Sequence, residues 1–182
     1  MNNFLLRRRR LIAFTLVELL VVIAIIALSS TLIMPAAESM ILRSRSLQCA
    51  ANLHTIGVAV MQAASDNNGQ YPEIDQASSP VYPPNSGALN LIGALGPYGV
   101  TTNTVQCPVD MVSKPSSFQQ YGSSYEWNPV FDDETTTTPI LYLNANVKIP
   151  VNSTRVRLCT DFLPLHRGRM NALYGDGHVT AR

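Results

Sequence analysis

A single carboxylate stands inside the apolar N-terminal part of the chain. Glu18 is followed by a stretch, Leu19 to Met34, that contains no charged residue. A charged side chain at the centre of a bilayer costs roughly 2.5–3.5 kcal/mol on insertion scales, so a carboxylate there is expected to have a cation or hydrogen-bond donors as partners. Residue type and position therefore predict a functional role for Glu18.

The partner of Glu18 could be created by proteolysis. If a peptidase cut the chain between Ala13 and Phe14, the new α-amino group of Phe14 would be a cation close to the membrane surface. Phe14 lies four residues before Glu18, on the same face of a helix. In an assembly, the Glu18 carboxylate of one subunit could pair with the Phe14 amine of a neighbour and set the register of their helices, as buried charge pairs sometimes do.

A second group of ionisable residues closes the chain. His166 is separated by nine residues from Asp176-Gly177, and His178 follows directly. We favour a structural interpretation in which Asp-Gly supplies the positive φ angles of a hairpin turn, Asp176 caps that turn and His166 hydrogen-bonds to nearby backbone. The alternative is a site for zinc or a similar ion, with Asp161 as a further ligand, because imidazoles and carboxylates suit such ions.

Three cysteines leave the redox state of the chain open. Cys49, Cys107 and Cys159 show neither Cys-x-x-Cys nor a histidine-rich spacing, which argues against a structural zinc site. If the C-terminal part lies outside the cytoplasm, Cys107–Cys159 is a candidate disulfide. Free or buried thiols are the alternative.

Two further groups favour a structural interpretation. The run Asp132-Asp133-Glu134 could hold calcium, but it lacks the spacing of an EF-hand, and a solvated acidic loop is the better interpretation. His54 falls at the edge of an apolar helix stripe and is predicted to be an interfacial histidine.

Catalytic motifs are missing from the sequence. There is no G-x-S-x-G, no P-loop and no H-E-x-x-H. Cys107 or Cys159 could pair with His166 as a thiol nucleophile, but no third, orienting group is identifiable. Outside Arg7–Arg10 the chain has 9 basic and 12 acidic residues, and no basic patch with interleaved aromatic residues suggests nucleic-acid binding. We therefore predict no enzymatic activity, no cofactor and no nucleic-acid partner.

The elements that position Glu18 form the N-terminal third of the chain. The arginines of the leader, residues 1–13, favour a cytoplasmic N-terminus. Residues 14–35 have the length of a transmembrane helix, for which about 20 apolar residues suffice. A secretory signal peptide with a site near "MPAAES" and a plain single-span anchor are alternatives. Neither explains Glu18.

Residues 36–66 are predicted to continue the helix in amphipathic form. A stop signal, Asp66-Asn67-Asn68-Gly69, ends the pattern. The apolar stripe has helical spacing. Its members are Leu42, Cys49, Leu53, Ile56, Val60 and Ala63, widened by Leu47, Ala51, Val58 and Met61.

Residues 67–182 are predicted to form a small extracytoplasmic head. "SSPVYPPNSG" is typical of an extended loop, and Leu89 to Leu95 could be a helix or a strand. Short strands are indicated at Ile140–Leu143, Val156–Cys159 and Ala172–Tyr174. The fold class is therefore α+β, with a long N-terminal helix, one half transmembrane and one half amphipathic, packed on a small C-terminal antiparallel β-sheet.

The N-terminal sequence resembles the prepilin-type leader of type IV pilins and type II secretion pseudopilins. The match is "RRRRLIA" followed by "FTLVELLVVIAIIALSS", with a proline, Pro35, where such proteins often have one. The resemblance implies a pilin-like fold, cleavage before Phe14 by a membrane aspartyl prepilin peptidase, and N-methylation of Phe14. It departs from the family at one position, because Ala13 stands where the family usually has glycine.

The C-terminal part is similar to the H-X9-DG segment of a large subfamily of prepilin-like proteins that is abundant in Planctomycetes and related bacteria. His166, Asp176 and Gly177 carry the pattern, continued by His178-Val179. "QCAANLHTIGVAV", the Cys107-Pro108-x-Asp110 segment and "SSYEWN" are also similar to that subfamily.

These resemblances imply an inner-membrane, single-pass subunit with a cytoplasmic N-terminus and an extracytoplasmic head. Its partners would be the prepilin peptidase, other pilin or pseudopilin subunits through their N-terminal helices, and the inner-membrane assembly machinery. The filament could be a type II secretion pseudopilus or a type IV pilus. The alternatives are a membrane-anchored or secreted binding module and a metal-dependent enzyme built on His166, Asp176 and His178.

Overall fold

The structure, a computed structural model, describes residues 14–75, 90–144, 147–166 and 168–181. The chain divides into two compact units, one ending at Ile41 and one beginning at Leu42. The first helix, α1 (Leu16–Asp66), contributes residues to both. The leader with Ala13, and the "SSPVYPPNSG" segment, lie outside the described residues.

The first unit consists of the N-terminal part of α1. Its apolar run contains three polar residues, and their hydroxyl groups donate hydrogen bonds to carbonyl groups of the same helix. Ser29, Ser30 and Thr31 therefore need no partner outside the helix. No helix in the described part of the chain combines the length and the apolarity that a membrane crossing requires.

The second part of α1 confirms the amphipathic pattern from Cys49 onwards. Five of the six predicted stripe positions are buried, while Leu42 is 46% exposed. The prediction for Leu42 is therefore wrong, and burial begins two turns later. Three of the residues expected to widen the stripe are also exposed, whereas Met61 packs partly against the core. These three are Leu47, Ala51 and Val58.

The predicted stop signal ends α1. The last helical residue is Asp66, and both Asn68 and Gly69 have positive φ angles, of 53° and 78°. The N–H of Gly69 returns to the carbonyl of Ala64 at 2.7 Å. This hydrogen bond satisfies a carbonyl that has no partner within the helix.

Two short helices and two β-sheets follow. The helices are α2 (Leu91–Leu95) and α3 (Ser117–Tyr121), capped by the side chains of Asn90 and Ser116. The larger sheet is antiparallel, with strand order β1-β4-β5-β6, and β2 and β3 form a separate antiparallel pair. The strands are β1 (Tyr125–Trp127), β2 (Ile140–Asn144), β3 (Val147–Pro150), β4 (Arg157–Asp161), β5 (Asn171–Tyr174) and β6 (Val179–Ala181).

The core of the second unit lies between α1 and the larger sheet. Leu53, Ile56 and Val60 from α1 share one buried cluster with Trp127, Leu158 and Leu173 from the strands. Gly57 lets the two layers approach, because a Cβ atom there would lie 2.6 Å from Cδ1 of Leu173. The predicted α+β arrangement, a helix packed on a small antiparallel sheet, is confirmed.

Replacing Leu173 by alanine tests this contact. The side chain is fully buried, so Leu173→Ala is expected to lower the free energy of unfolding by about 2–5 kcal/mol. Urea denaturation followed by fluorescence of the single, buried Trp127 would measure the loss. The exposed Leu163 provides the control, since Leu163→Ala should change stability by no more than about 0.5 kcal/mol. Equal effects of the two substitutions would contradict the described packing.

Candidate functional site

Glu18 and Thr15 form a capping box at the start of α1. The Glu18 carboxylate accepts hydrogen bonds from the backbone N–H and the hydroxyl of Thr15, both at 2.8 Å, and Thr15 Oγ1 accepts one from the Glu18 N–H at 3.2 Å. This T-x-x-E arrangement provides partners for backbone donors that a helix N-terminus leaves free. Sequence reasoning missed it, although the three-residue spacing of Thr15 and Glu18 was the signal.

The residues around this cap are apolar and exposed. Phe14 is 72% exposed, and the side chains of the following three helical turns share that exposure. They are Leu16, Val17, Leu19, Leu20, Val21, Val22, Ile23, Ile25, Ile26 and Leu28.

The disulfide of the second unit joins Cys49 on α1 to Cys107 in the loop after α2, with a Cα–Cα distance of 4.9 Å. The predicted Cys107–Cys159 pairing is therefore wrong. Cys159 is a free thiol on β4, fully buried, and this burial raises its pKa. A buried thiol of raised pKa is a poor nucleophile, since the thiolate is the reactive form.

A buried aspartate organises the loop that carries Cys107. Asp110 is fully buried, and its carboxylate accepts four hydrogen bonds. The donors are the N–H groups of Ser117 and Phe118, at 2.9 and 2.8 Å, and the hydroxyls of Ser116 and Ser124, at 3.2 and 2.7 Å. The aspartate of the Cys-Pro-x-Asp segment thus holds the start of α3 and the residues before β1 together.

The same network fixes both ends of the disulfide. The hydroxyl of Ser124, which donates to Asp110, accepts a hydrogen bond from the N–H of Cys107 at 3.0 Å. The hydroxyl of Tyr125 donates to the carbonyl of Cys49 at 3.2 Å. The segments "QCAANLHTIGVAV", Cys-Pro-x-Asp and "SSYEWN" therefore meet at one place in the fold.

His166 also lies at this place. The residue is 7% exposed, and its Nε2 lies 3.2 Å from Asp161 Oδ2 and 3.7 Å from Cys107 Sγ. The prediction that the His166 side chain bonds to backbone is therefore wrong. Its backbone, not its ring, exchanges hydrogen bonds with Arg169.

Asp161 positions the histidine and the neighbouring strand. It is fully buried at the end of β4, and its Oδ2 accepts a hydrogen bond from the N–H of Asn171 on β5. Three polar atoms in this group, Oδ1 of Asp161, Nδ1 of His166 and Nδ2 of Asn171, have no hydrogen-bond partner in the described part of the chain.

The nine residues between His166 and Asp176 contain strand β5. His166 precedes the strand, and Asp176-Gly177 forms the turn from β5 to β6. The turn encloses three residues, with Tyr174 N–H bonded to the His178 carbonyl at 2.9 Å. Only Gly177 has a positive φ angle, of 87°, so the expectation of positive angles at both residues is wrong for Asp176. A three-residue hairpin loop needs one such position.

Asp176 and His178 pair with each other at this turn. The Asp176 carboxylate accepts from the N–H of His178 at 3.2 Å and contacts Nδ1 of its ring. Desolvation raises the pKa of Asp176, but the hydrogen bonds from His178 outweigh it, so the pKa is lowered overall. The predicted capping role of Asp176 is confirmed.

The predicted metal set is divided into two separate pairs. His166 is with Asp161, and His178 is with Asp176. Among the described residues, the one group of three potential ligand atoms lying within 4.8 Å of one another is Cys49, Cys107 and His166. His166, Asp176 and His178 therefore do not form the single metal site on which the alternative of a metal-dependent enzyme was built.

A shallow groove of about 400 Å³ runs along α1 beside the β5–β6 turn. His54 lies at this groove and is exposed, so the interfacial position predicted for it is wrong within this chain.

The acidic loop is only partly solvated. Asp133 is exposed, but Asp132 is half-buried, and its Oδ1 accepts a hydrogen bond from the indole N–H of Trp127 at 2.7 Å. Burial raises the pKa of Asp132 to about 7, against the opposing effect of this hydrogen bond. The solvated-loop prediction is therefore wrong for Asp132.

A family model described as the prokaryotic N-terminal methylation motif matches residues 8–34. Comparisons with curated proteins and with solved structures give no match. The matched segment contains Ala13, Phe14 and Glu18, and it supports a type IV pilin-like or pseudopilin-like protein. Proteins with this motif are typically structural. The second unit, with its disulfide and H-X9-DG segment, lies beyond the matched residues.

The raised pKa of Asp132 predicts a pH-dependent stability. Between about pH 4 and pH 7 the folded chain holds a proton that the unfolded chain releases, so the free energy of unfolding should fall as the pH rises through this range. Asp132→Asn should remove this fall, because the amide stays neutral and can still accept from Trp127. Urea denaturation at a series of pH values measures it. Asp133→Asn, at the exposed neighbour, should keep the wild-type slope. A wild-type slope in Asp132→Asn would refute the assignment.

Proposed function

We propose that the protein is a pilin-like structural subunit, cleaved before Phe14 by prepilin peptidase, N-methylated at Phe14 and assembled through its N-terminal helix into a pseudopilus or a type IV pilus-like filament. The observation that carries the proposal is the methylation motif over residues 8–34. Its apolar part folds as the helical start of α1. No catalytic step is assigned to the chain.

The exposed apolar side chains supply the driving force for assembly. Contiguous exposed apolar surface of this kind marks a membrane or protein contact. Before assembly, residues 14–35 would lie in the inner membrane, with Arg7–Arg10 on the cytoplasmic side. In the filament, the same side chains would pack against the helices of neighbouring subunits.

Glu18 has a double role in this proposal. Its capping box with Thr15 satisfies the carboxylate locally, which lowers the cost of keeping it in an apolar segment before a partner is found. Cleavage would then free the Phe14 amine, and a neighbouring subunit's amine would become the cationic partner of Glu18. This pairing would select one register among the many that apolar contacts allow.

Processing is tested by mass spectrometry of the mature N-terminus. A chain beginning with methylated Phe14 is expected when the protein is expressed with an active prepilin peptidase. Ala13→Gly, which restores the residue usual in the family, should be processed at least as completely as the wild type. A mature N-terminus near Glu38, or a leader that persists in both variants, would refute the proposal.

The role of Glu18 is tested by comparing Glu18→Ala with Glu18→Gln. Glutamine retains the capping box but carries no charge, whereas alanine removes both. If the charge sets register, both variants should insert into the membrane normally and both should assemble at least about tenfold less, as counted by sheared filaments. Normal assembly of Glu18→Gln with failure of Glu18→Ala would assign the effect to capping and overturn the register role.

A further inference from the structure

The buried cluster around the disulfide has the composition of a metal site. Sulfur atoms of Cys49 and Cys107 and a ring nitrogen of His166 all lie within 4.8 Å of one another. We propose that, when the disulfide is reduced, these three residues bind a thiophilic divalent ion such as Zn²⁺, with the Asp161 carboxylate beside His166. In the reduced chain, the bound ion would link α1 to the rest of the second unit in place of the disulfide.

Two distances in the oxidised structure match those of a tetrahedral site. With Zn–S near 2.3 Å and Zn–N near 2.0 Å, tetrahedral geometry places S and N about 3.6 Å apart. The observed distance from Cys107 Sγ to His166 Nε2 is 3.7 Å. Nitrogen and carboxylate ligands would be about 3.3 Å apart, and Asp161 Oδ2 lies 3.2 Å from the same Nε2. Binding would require the two sulfurs to separate to about 3.8 Å, and Asp161, which lies outside the three-ligand group, would have to move closer to them to become a fourth ligand.

Unpaired polar atoms give an independent indication of a ligand. Asp161 is fully buried and His166 is 7% exposed, yet Asp161 Oδ1 and His166 Nδ1 make no hydrogen bond to the described residues. Buried polar atoms without partners are uncommon and need an explanation. A cation at Nε2 would be a partner for the Asp161 carboxylate. It would place the ring proton on Nδ1, which has no acceptor among the described residues, so the indication of a ligand comes from the Asp161 oxygen.

The surrounding hydrogen bonds would hold the ligands in place after reduction. The Ser124 hydroxyl accepts a hydrogen bond from the Cys107 N–H, and the Tyr125 hydroxyl donates one to the Cys49 carbonyl. The Asn171 N–H donates to the Asp161 carboxylate. None of these bonds depends on the S–S bond. Contacts behind the ligands are what orient them in metal sites generally.

Metal binding at this site follows reduction of the disulfide. A dithiol reductant gives two electrons and two protons to the Cys49–Cys107 disulfide and is itself oxidised to a disulfide, which leaves Cys49 and Cys107 as thiols in addition to Cys159. Binding of Zn²⁺ then releases those two protons, because the ligands are thiolates. Oxidation by a disulfide donor reverses the sequence and expels the ion. Cys159 takes no part, since it belongs to neither the disulfide nor the three-ligand group.

Cobalt titration tests the site. The full chain in detergent is reduced with excess dithiol, desalted without oxygen and titrated with Co²⁺, whose thiolate complexes absorb through charge transfer. One Co²⁺ per reduced chain is expected, with none at this site in the oxidised chain. His166→Asn should weaken binding at least about tenfold, whereas His178→Asn, at the exposed histidine, should bind like the wild type. No charge-transfer band in the reduced wild type, or equal affinity in His166→Asn, would overturn the proposal.

A second measurement needs no variant. Zn²⁺ should slow the alkylation of Cys49 and Cys107 in the reduced chain, as followed by peptide mass spectrometry, and should leave the rate at the buried Cys159 unchanged. Equal protection of all three cysteines would indicate only a general tightening of the fold and would refute the site. Because neither measurement depends on processing or assembly, their outcome is separate from that of the proposed function.

Discussion

The Cys49–Cys107 disulfide is the constraint on which the second unit depends. It closes a loop with a sequence separation of 58 residues, and the chain-entropy model gives about 4 kcal/mol of stabilisation for a loop of that length. The buried stripe of α1 begins at Cys49, so the bond fixes the helix where its apolar face first meets the core. Strands β1, β4 and β5 then complete the same cluster.

The polar residues around this bond explain why the chain can bury charged groups there. Asp110 has four donors, two of them backbone N–H groups, and hydrogen bonds to an ionised group are worth more than neutral ones. Removing a single partner from such a network leaves a buried group unsatisfied, at about 1–3 kcal/mol. Asp110 therefore requires the hydroxyl of Ser124, directly before β1, as a hydrogen-bond donor. Asp161 is the exception, because one of its oxygens has no partner among the described residues.

Much of the helix could be predicted because periodicity is a local property. The spacing of Leu53, Ile56 and Val60, and the stop at Asp66, were both readable in the sequence. Three strands were also found. Those missed, β1, β3 and β6, are three or four residues long, and β3 is exposed throughout and ends in a proline. Such segments carry too few alternating positions for a pattern to be recognised.

The candidate site was harder to predict, because pairings across long sequence separations have no local signature. Three cysteines allow one disulfide with three possible pairings, and nothing in their spacing selects Cys49 as the partner of Cys107. For a related reason, the H-X9-DG spacing did not predict which residues pair with His166 and Asp176. His166 and Asp176 lie on either side of an extended strand, since β5 fills much of the spacer. Each residue of an extended strand advances the chain by about 3.3 Å, so the residues before and after the strand are held apart.

Glu18 and Asp161 illustrate two ways in which one chain supplies hydrogen-bond donors to a carboxylate. Glu18 is satisfied by its own helix start, through donors three residues away, and so needs no folded head around it. Asp161 depends on tertiary structure, through Asn171 and His166, and retains an oxygen without a partner. Under the proposed function, the local arrangement would suit a segment that moves from the membrane into a filament. The tertiary arrangement belongs to a fixed site, in which the carboxylate with the unpaired oxygen contacts the ring of His166.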